Sequence, residues 1–586
     1  MTAPRRGLRR RGSFRQTPAW VPGDPEAVRP VTRGETYPLF VGAVVLGFIA
    51  LVVCYGHGYL LLYGDAVAHL GIARRIVDAR YPGLSQLGGV WLPLPHVLML
   101  PFIGKMELWQ TGLAGAPMSM LSYAASVAGV WRLARRMMRQ RWALVASTFY
   151  ALNPNLLYLA TTAMTETLFL ALLIWTVIAT VEGVAALRAE QVHTARMRML
   201  LAGVLIFGQV MTRYDGWIVG AVVWCCFAVA VWRSEAKVRS LVTPVFVVFT
   251  VWCLAGPLLW FWYNAHFEHD WLDFLRGPYS AKQIERKTAP PGQHYRGWHN
   301  VGWAALFYTR TAQVDAAFWE TGFGLMVAAV YGIWLQLWKP RSENPDPGQS
   351  GLVVDPKYVR AERFALLLWL PLPFYVYSVA YGSVPIFIPQ LWPHSYYNAR
   401  YGMEMLPALS LYGTLAAERL AVRLQGRTEN WAKLSARLWQ PVAMVLCVAN
   451  CVAMMYKMPL VLKEGIVNAS TRVPFEHELS VVLDDFPPNE PVMMSTSNHI
   501  GAVQVAGRTL KSMISEGDDQ SWQIALKNPA ANAAYVIALA GDPVDAAVKA
   551  HPEGLVELEV VCSMGQPCAK VYQSPNWVPH GNGATR

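Results

Sequence analysis

The chain alternates between long apolar runs and short polar connections. An α-helix needs about 20 largely apolar residues to cross a bilayer. Such runs fall at 38–56, 110–130, 142–160, 163–186, 199–214, 217–232, 241–263, 321–338, 364–381, 401–417 and 440–457, and they predict about eleven transmembrane helices. The connections alternate as well. The N-terminal arm and the segments 132–141, 188–198, 233–239, 339–363 and 419–437 carry 29 of the 50 Lys and Arg, and the opposite connections carry 12. Lys and Arg gather on the cytoplasmic side of a membrane. The expected topology therefore has the N-terminus inside and the C-terminus outside.

Three regions follow: a cytoplasmic basic arm at 1–37, a membrane domain at 38–457 with a long first outer loop at 55–108, and an extracytoplasmic α/β domain at 465–586. In the last, 491–496, 509–513, 535–540, 555–563 and 569–573 read as strands. Between them, 500–506, 521–527 and 543–550 read as helices, with Asp542 a natural N-cap. The alternation predicts a mostly parallel sheet. It contains no glycine-rich phosphate fingerprint.

Composition sharpens the class. Of 586 residues, 54% are hydrophobic and only 15% charged, against about 25% charged in soluble domains. Several soluble domains could not be covered by so little charge, and so much apolar surface excludes disorder. The net charge of +12 reports topology. The run Arg5-Arg6-Gly7-Leu8-Arg9-Arg10-Arg11 reads as an inner arm touching anionic headgroups, not as a nucleic-acid site. No small-residue cleavage site follows the first apolar run, which is expected to be a retained span. Six cysteines lie in apolar stretches. Cys562 and Cys568 lie in the tail, where an outer location favours a small disulfide loop; zinc would need further ligands close by.

The outer connections hold the candidate chemistry. The first reads Tyr63-Gly64-Asp65-Ala66-Val67-Ala68-His69 and ends Trp91-Leu92-Pro93-Leu94-Pro95-His96. Asp65 and His69 share one face of a helix starting near Gly64. An ionisable residue at the end of a span is a functional candidate, although Asp65 as a helix cap is the simpler alternative, and His69 and His96 taken singly read as structural. Glu166 opens the fourth span on the same side; there the alternative is a carboxylate placed by the helix dipole. Arg213, in Thr212-Arg213-Tyr214-Asp215-Gly216-Trp217, has Asp215 as an alternative partner. Arg296 lies in the loop 266–300. Tyr397, Arg400 and Tyr401 lie in His394-Ser395-Tyr396-Tyr397-Asn398-Ala399-Arg400-Tyr401-Gly402. Arginine suits bidentate phosphate recognition, and interfacial anchoring is the alternative for each Arg or Tyr. Together these residues suit an anionic lipid-linked substrate meeting a polar acceptor. A carboxylate would act as base, and arginines would stabilise a phosphate leaving group.

In the order and sidedness of these segments the chain resembles the GT-C membrane glycosyltransferases. It is most similar to the protein O-mannosyltransferase/aminoarabinose-transferase-like group (glycosyltransferase family 39-like). The resemblance rests on Asp65 just after the first span, the long first loop, Glu166 opening the fourth span, and the segments around Arg213 and Arg400. It implies a polyprenyl-phosphate-linked sugar donor and inverting transfer at the outer face of a bacterial plasma membrane. The acceptor would be a lipid, a protein or a polysaccharide; membrane lipids are expected partners and nucleic acid is not. The first-loop acid, here Asp65, is the implied base, with Glu166 and His69 orienting. Arg400, Tyr397, Tyr401 and Arg213 would bind the donor, with His96 and Arg296 as further binding candidates. No cofactor is implied; a divalent ion shared by Asp65, His69 and Glu166 is the alternative. The chain departs from the group in having Ala66 where an Asp-Glu pair is common, and Glu166 where Asp is usual. Two rival readings stand beside it. One is a polymerase or ligase of lipid-linked glycans. The other is a non-catalytic transporter or assembly component, although the repeated halves of many transporters are not seen.

Overall fold

The structure is a computed structural model that describes residue 31 and residues 33–288, 292–338, 361–425 and 430–578. Most of the basic arm, with its Arg5–Arg11 run, and most of the basic connection 339–363 lie outside the described residues. Within them the chain is a polytopic helical membrane protein with a small C-terminal α/β domain.

Seven helices among the described residues are long and apolar enough to cross a bilayer. Their burial sorts them. The helix Glu166–Arg188 has 89% of its apolar window buried and forms the centre of the bundle, whereas the helix around Ala236–Glu268 has 17% buried and faces outward. Exposed Val251, Leu258, Val445 and Val452 on peripheral helices are the surface that lipid would cover.

Four of the eleven expected spans take other forms. Residues 110–130 and 199–214 fall on the helices Ala116–Met137 and Val192–Val210. These carry Ser, Gly, Gln and Arg among their apolar residues, because buried helix faces favour small and polar side chains. The run 142–160 is two helices, Gln140–Ala151 and Pro154–Leu159. The break is chemical: Pro154 has no N–H to continue the first helix, and the Asn153 side chain caps the second by accepting from the Asn155 and Leu156 amides at 3.0 and 3.1 Å. The run 401–417 begins as a 3₁₀ turn, Ala399–Met405, before the helix Leu406–Gln425.

At the end of the bundle that carries the basic connections, Glu182 gathers three arginines. It accepts from Arg132 at 2.8 Å and forms ion pairs with Arg198 at 2.8 Å and Arg136 at 3.7 Å. At the other end, the α/β domain covers the first long connection. Its sheet comprises β1 (Val492–Met494), β2 (Met513–Ile514), β3 (Tyr535–Leu539), β4 (Val556–Val561) and β5 (Ala569–Gln573), in the order β2-β1-β3-β5-β4. Only β2-β1-β3 is parallel; β3-β5 and β5-β4 are antiparallel, so the sheet is mixed instead of mostly parallel. The reason is local. The connection 562–568 is too short for a crossover and can only return as a hairpin, and Cys562 and Cys568, joined as a disulfide, close it. Asp542 caps the helix Pro543–Ala550, accepting from the Asp545 amide at 2.7 Å.

One helix unites the two parts. Leu460–Asp484 runs without a break through position 465, where the polar pattern places the start of the outer domain. Arg472 on it donates to the carbonyls of Leu61 and Leu62, at 2.8 and 3.2 Å, and pairs with Glu476. Further along, Phe475 packs edge-on against His499 of the α/β domain.

Candidate active site

Two guanidinium groups organise the polar cluster where the bundle meets the first long connection. Arg400 is almost fully buried, and each edge of its planar fork meets a different carboxylate. Nη2 binds Asp65, Nε donates to Glu166 Oε1 at 3.1 Å, and Nη1 lies 3.5 Å from Glu464. Arg213 is held in the same manner. It donates to Thr165 Oγ1 at 3.0 Å and to the Tyr375 hydroxyl at 2.6 Å. It also lies 3.3 Å from Glu166, 3.2 Å from Glu404 and 3.4 Å from Asp215. The Tyr401 ring lies 5.0 Å from each guanidinium, a favourable place for two cations against a π-face.

Local structure explains how these side chains meet. The helix Gly64–Asp78 starts at Tyr63, which is its N-cap and makes no side-chain cap bond. Asp65 is therefore the second residue of the helix, in its first turn, and its side chain pairs with Arg400, so the capping alternative does not describe it. Tyr63 donates to the Val461 carbonyl at 2.8 Å, and its ring lies 5.1 Å from Arg400. Glu166 opens the central helix, and its Oε1 accepts from both arginines. The 3₁₀ turn carrying Arg400 and Tyr401 packs against the helix Val301–Ala316 through Gly402. A methyl group there would sit 2.5 Å from Asp315 Oδ2 and 2.8 Å from the Ala312 nitrogen.

Exposure separates the carboxylates. The Asp65 side chain is 42% exposed, against 1% for Glu166 and 0% for Glu464. Asp65 is thus the acid of the Arg400 cluster that an incoming molecule can reach.

The histidines form a pair behind Asp65. His69 Nδ1 and His96 Nε2 are 2.9 Å apart, and the His69 ring lies 4.5 Å from Trp91. Burial lowers His69 to about 4 and pushes His96 well below the usual histidine range, so both are neutral near neutral pH. One shared proton orients the pair. Tyr397 is half-exposed beside the cluster, and burial with the nearby Asp65 charge raises its phenol. Arg296 is not brought in: it is clamped between Trp303 and Trp392 at 4.8 and 4.7 Å. Among the described residues, no group of three or more His, Cys, Asp or Glu is placed to hold a metal ion. Between Asp65 and Glu166, where a shared ion would need to sit, lies the Arg400 guanidinium.

Glu404, Glu464, Tyr63 and Tyr375 belong to the cluster although the sequence reading passed over them. A carboxylate inside an apolar stretch is itself a signal, and Met403-Glu404-Met405 shows it. Glu464 gave no such signal, because it lies in a segment that reads as linker.

The bundle, its long first connection and the covering α/β domain define a membrane protein of GT-C-like fold. Among solved structures, the chain is similar to ArnT from Cupriavidus metallidurans, in a crystal structure bound to undecaprenyl phosphate. The identity is 13% and the TM-score 0.56, and the match covers 94% of this chain and all of that one. It is also similar to the apo state of the same protein, at 13% identity and a TM-score of 0.52, covering 91% of this chain and 98% of that one. No family model and no curated protein matches the sequence. The likeness is one of fold.

Proposed function

We propose that the protein is a membrane glycosyltransferase that moves a sugar from a polyprenyl-phosphate donor to an acceptor at the extracytoplasmic face. One observation carries this reading: a solvent-facing carboxylate, Asp65, lies directly against a buried arginine, Arg400. A base and a phosphate-binding cation are the two groups that such a transfer requires. The fold neighbour's bound undecaprenyl phosphate supports the donor class. The alternation of basic connections supports a cytoplasmic N-terminus in a bacterial plasma membrane.

In this mechanism Asp65 accepts the proton of an acceptor hydroxyl or amine as that group attacks the anomeric carbon. The new bond forms on the face opposite the phosphate, the bond from the anomeric carbon to the phosphate oxygen breaks, and configuration inverts. The electron pair leaves on the polyprenyl phosphate, whose charge Arg400 stabilises with Tyr397 at its side. Arg213 supports the arrangement through Glu166 and Tyr401. Glu166 is a positioning residue for both arginines. The His69–His96 pair stiffens the helix that carries Asp65.

The test uses purified protein in lipid with a panel of polyprenyl-phosphate sugars and cell-envelope acceptors, followed by mass spectrometry. One donor should be consumed by the wild type, and Asp65→Asn should slow that consumption by roughly 100-fold or more. Consumption unchanged in Asp65→Asn would remove Asp65 as the base. No consumption of any donor with any acceptor would favour the transporter or assembly reading.

A further inference from the structure

Arg400 has no free edge: its three nitrogens are already engaged by Asp65, Glu166 and Glu464. A cation so occupied cannot receive a phosphate unless one carboxylate lets go. On the proposed reading as a polyprenyl-phosphate-dependent transferase, burial decides which one. Glu166 and Glu464 are at most 1% exposed. Glu464 also accepts from the Arg400 backbone amide at 3.3 Å, and Glu166 is shared with Arg213. Asp65 is 42% exposed, and among the described residues its one ion-pair partner is Arg400.

We propose that the donor phosphate displaces Asp65 from Nη2 of Arg400, and that this exchange uncovers the base. Glu166 and Glu464 hold the Nε and Nη1 edges, so the guanidinium keeps its plane while its outer edge changes partner. Before the donor arrives, Asp65 is ion-paired to Arg400 through Oδ2, and an ion-paired carboxylate is a weaker base than a free one. After the exchange it stands free beside the anomeric carbon, ready for the acceptor proton. No bond to carbon or phosphorus changes in this step; one carboxylate is replaced by one phosphate oxygen on the same N–H. The base thus reaches its full strength only while the donor is seated, which limits idle proton transfer.

The exchange makes Asp65 a competitor of the phosphate, and that is measurable. The probe is undecaprenyl phosphate titrated into the purified full-length protein in lipid nanodiscs. Asp65→Asn should bind it about tenfold more tightly than wild type, the ratio that about 1.4 kcal/mol corresponds to. Removing any negative charge near a phosphate could also tighten binding, so the comparison is repeated with Arg400→Lys. The compact lysine ammonium presents no fork; held by the two buried carboxylates, it leaves Asp65 unpaired. In that background the gain from Asp65→Asn should vanish. Equal or weaker binding by Asp65→Asn overturns the exchange but leaves the donor class intact. A gain that persists with Arg400→Lys overturns it too, since general repulsion would then be the cause. Failure of both wild type and Asp65→Asn to bind the probe would overturn the donor class and the exchange together.

Discussion

Replacing Glu166 by glutamine removes one negative charge from between two buried arginines and changes little else. The glutamine carbonyl can still accept from Arg400 Nε and Arg213 Nη1, which reach Glu166 Oε1 at 3.1 and 3.3 Å. What is lost is the acceptor's charge, while both guanidinium donors stay charged. A hydrogen bond to a charged group contributes about 1.5–3 kcal/mol net, and losing the acceptor's charge forfeits at most roughly half of it. Two such bonds weakened together cost up to about 1.5–3 kcal/mol. This is less than the roughly 3–5 kcal/mol for stripping a buried charge of its partner, because Arg400 keeps Asp65 and Glu464 while Arg213 keeps Glu404 and Asp215. Glu166→Ala removes the acceptor as well and should cost more. The assay is thermal inactivation of the purified protein in lipid, scored by the half-life at a fixed temperature, for wild type, Gln and Ala. The expected order of half-lives is wild type, then Gln, then Ala. A glutamine protein as durable as wild type would refute the reasoning, since Glu166 would then not be an anion held between two cations.

Three further outcomes follow from the geometry. The His69–His96 pair is held neutral with both groups below the ordinary histidine value, so the unfolded chain binds protons that the folded one does not. Stability is full above about pH 6.5 and falls as pH drops toward 4, by about 1.4 kcal/mol per unit for each histidine. Melting temperatures from pH 7.5 to 4.5 should show this slope, and a His69→Gln/His96→Gln protein should show it reduced. Gly402→Ala places a methyl 2.5–2.8 Å from Asp315 and the backbone of the helix Val301–Ala316. It should shift the turn carrying Arg400 and, on the proposed donor class, weaken undecaprenyl phosphate binding by about tenfold, whereas unchanged binding would show that the turn tolerates the displacement. Denatured, non-reduced protein should expose six thiols to alkylation, with Cys562 and Cys568 unlabelled until reduction. Labelling of both before reduction would remove the bridge between β4 and β5.

Much of this molecule is legible along the chain because lipid is a simple solvent. Apolar length marks the helices that face it, and the seven long spans lie where the pattern puts them. The pattern is weaker for helices that face one another. In Ala116–Met137, buried Ser119, Ser122 and Ser126 lower the apolar signal although they sit inside the bundle. Asp65, Glu166, Arg213, Arg400 and Tyr401 were recognisable as charged or aromatic residues at span ends on one side, and they meet. Arg296 carried the same signal and lies between two tryptophans instead, because an arginine at this depth is equally content against aromatic faces. Glu464 was hidden for a different reason. Its value comes from a partner 64 residues earlier, and no local pattern encodes such a pairing. Four of the five strands were legible, but the expected strand 509–513 is a 3₁₀ turn at Leu510–Ser512 that leaves only Met513–Ile514 as strand. Direction was not legible, since parallel and antiparallel strands share one alternation.

The helix Leu460–Asp484 sets a timetable for biogenesis. The chain is made from its N-terminus, so Asp65 and Glu166 are in place early, Arg400 enters with only part of its shell, and Glu464 arrives after the whole bundle has been threaded. Arg472, which grips the carbonyls of Leu61 and Leu62, comes later still. The earliest acid of the site therefore receives its support from some of the last residues made. A nascent or C-terminally truncated chain holds every residue of the first long connection and yet lacks the frame that aims Asp65. On the proposed reading as a transferase, competence for chemistry is deferred until the α/β domain has been delivered, and a half-built protein in the membrane is silent.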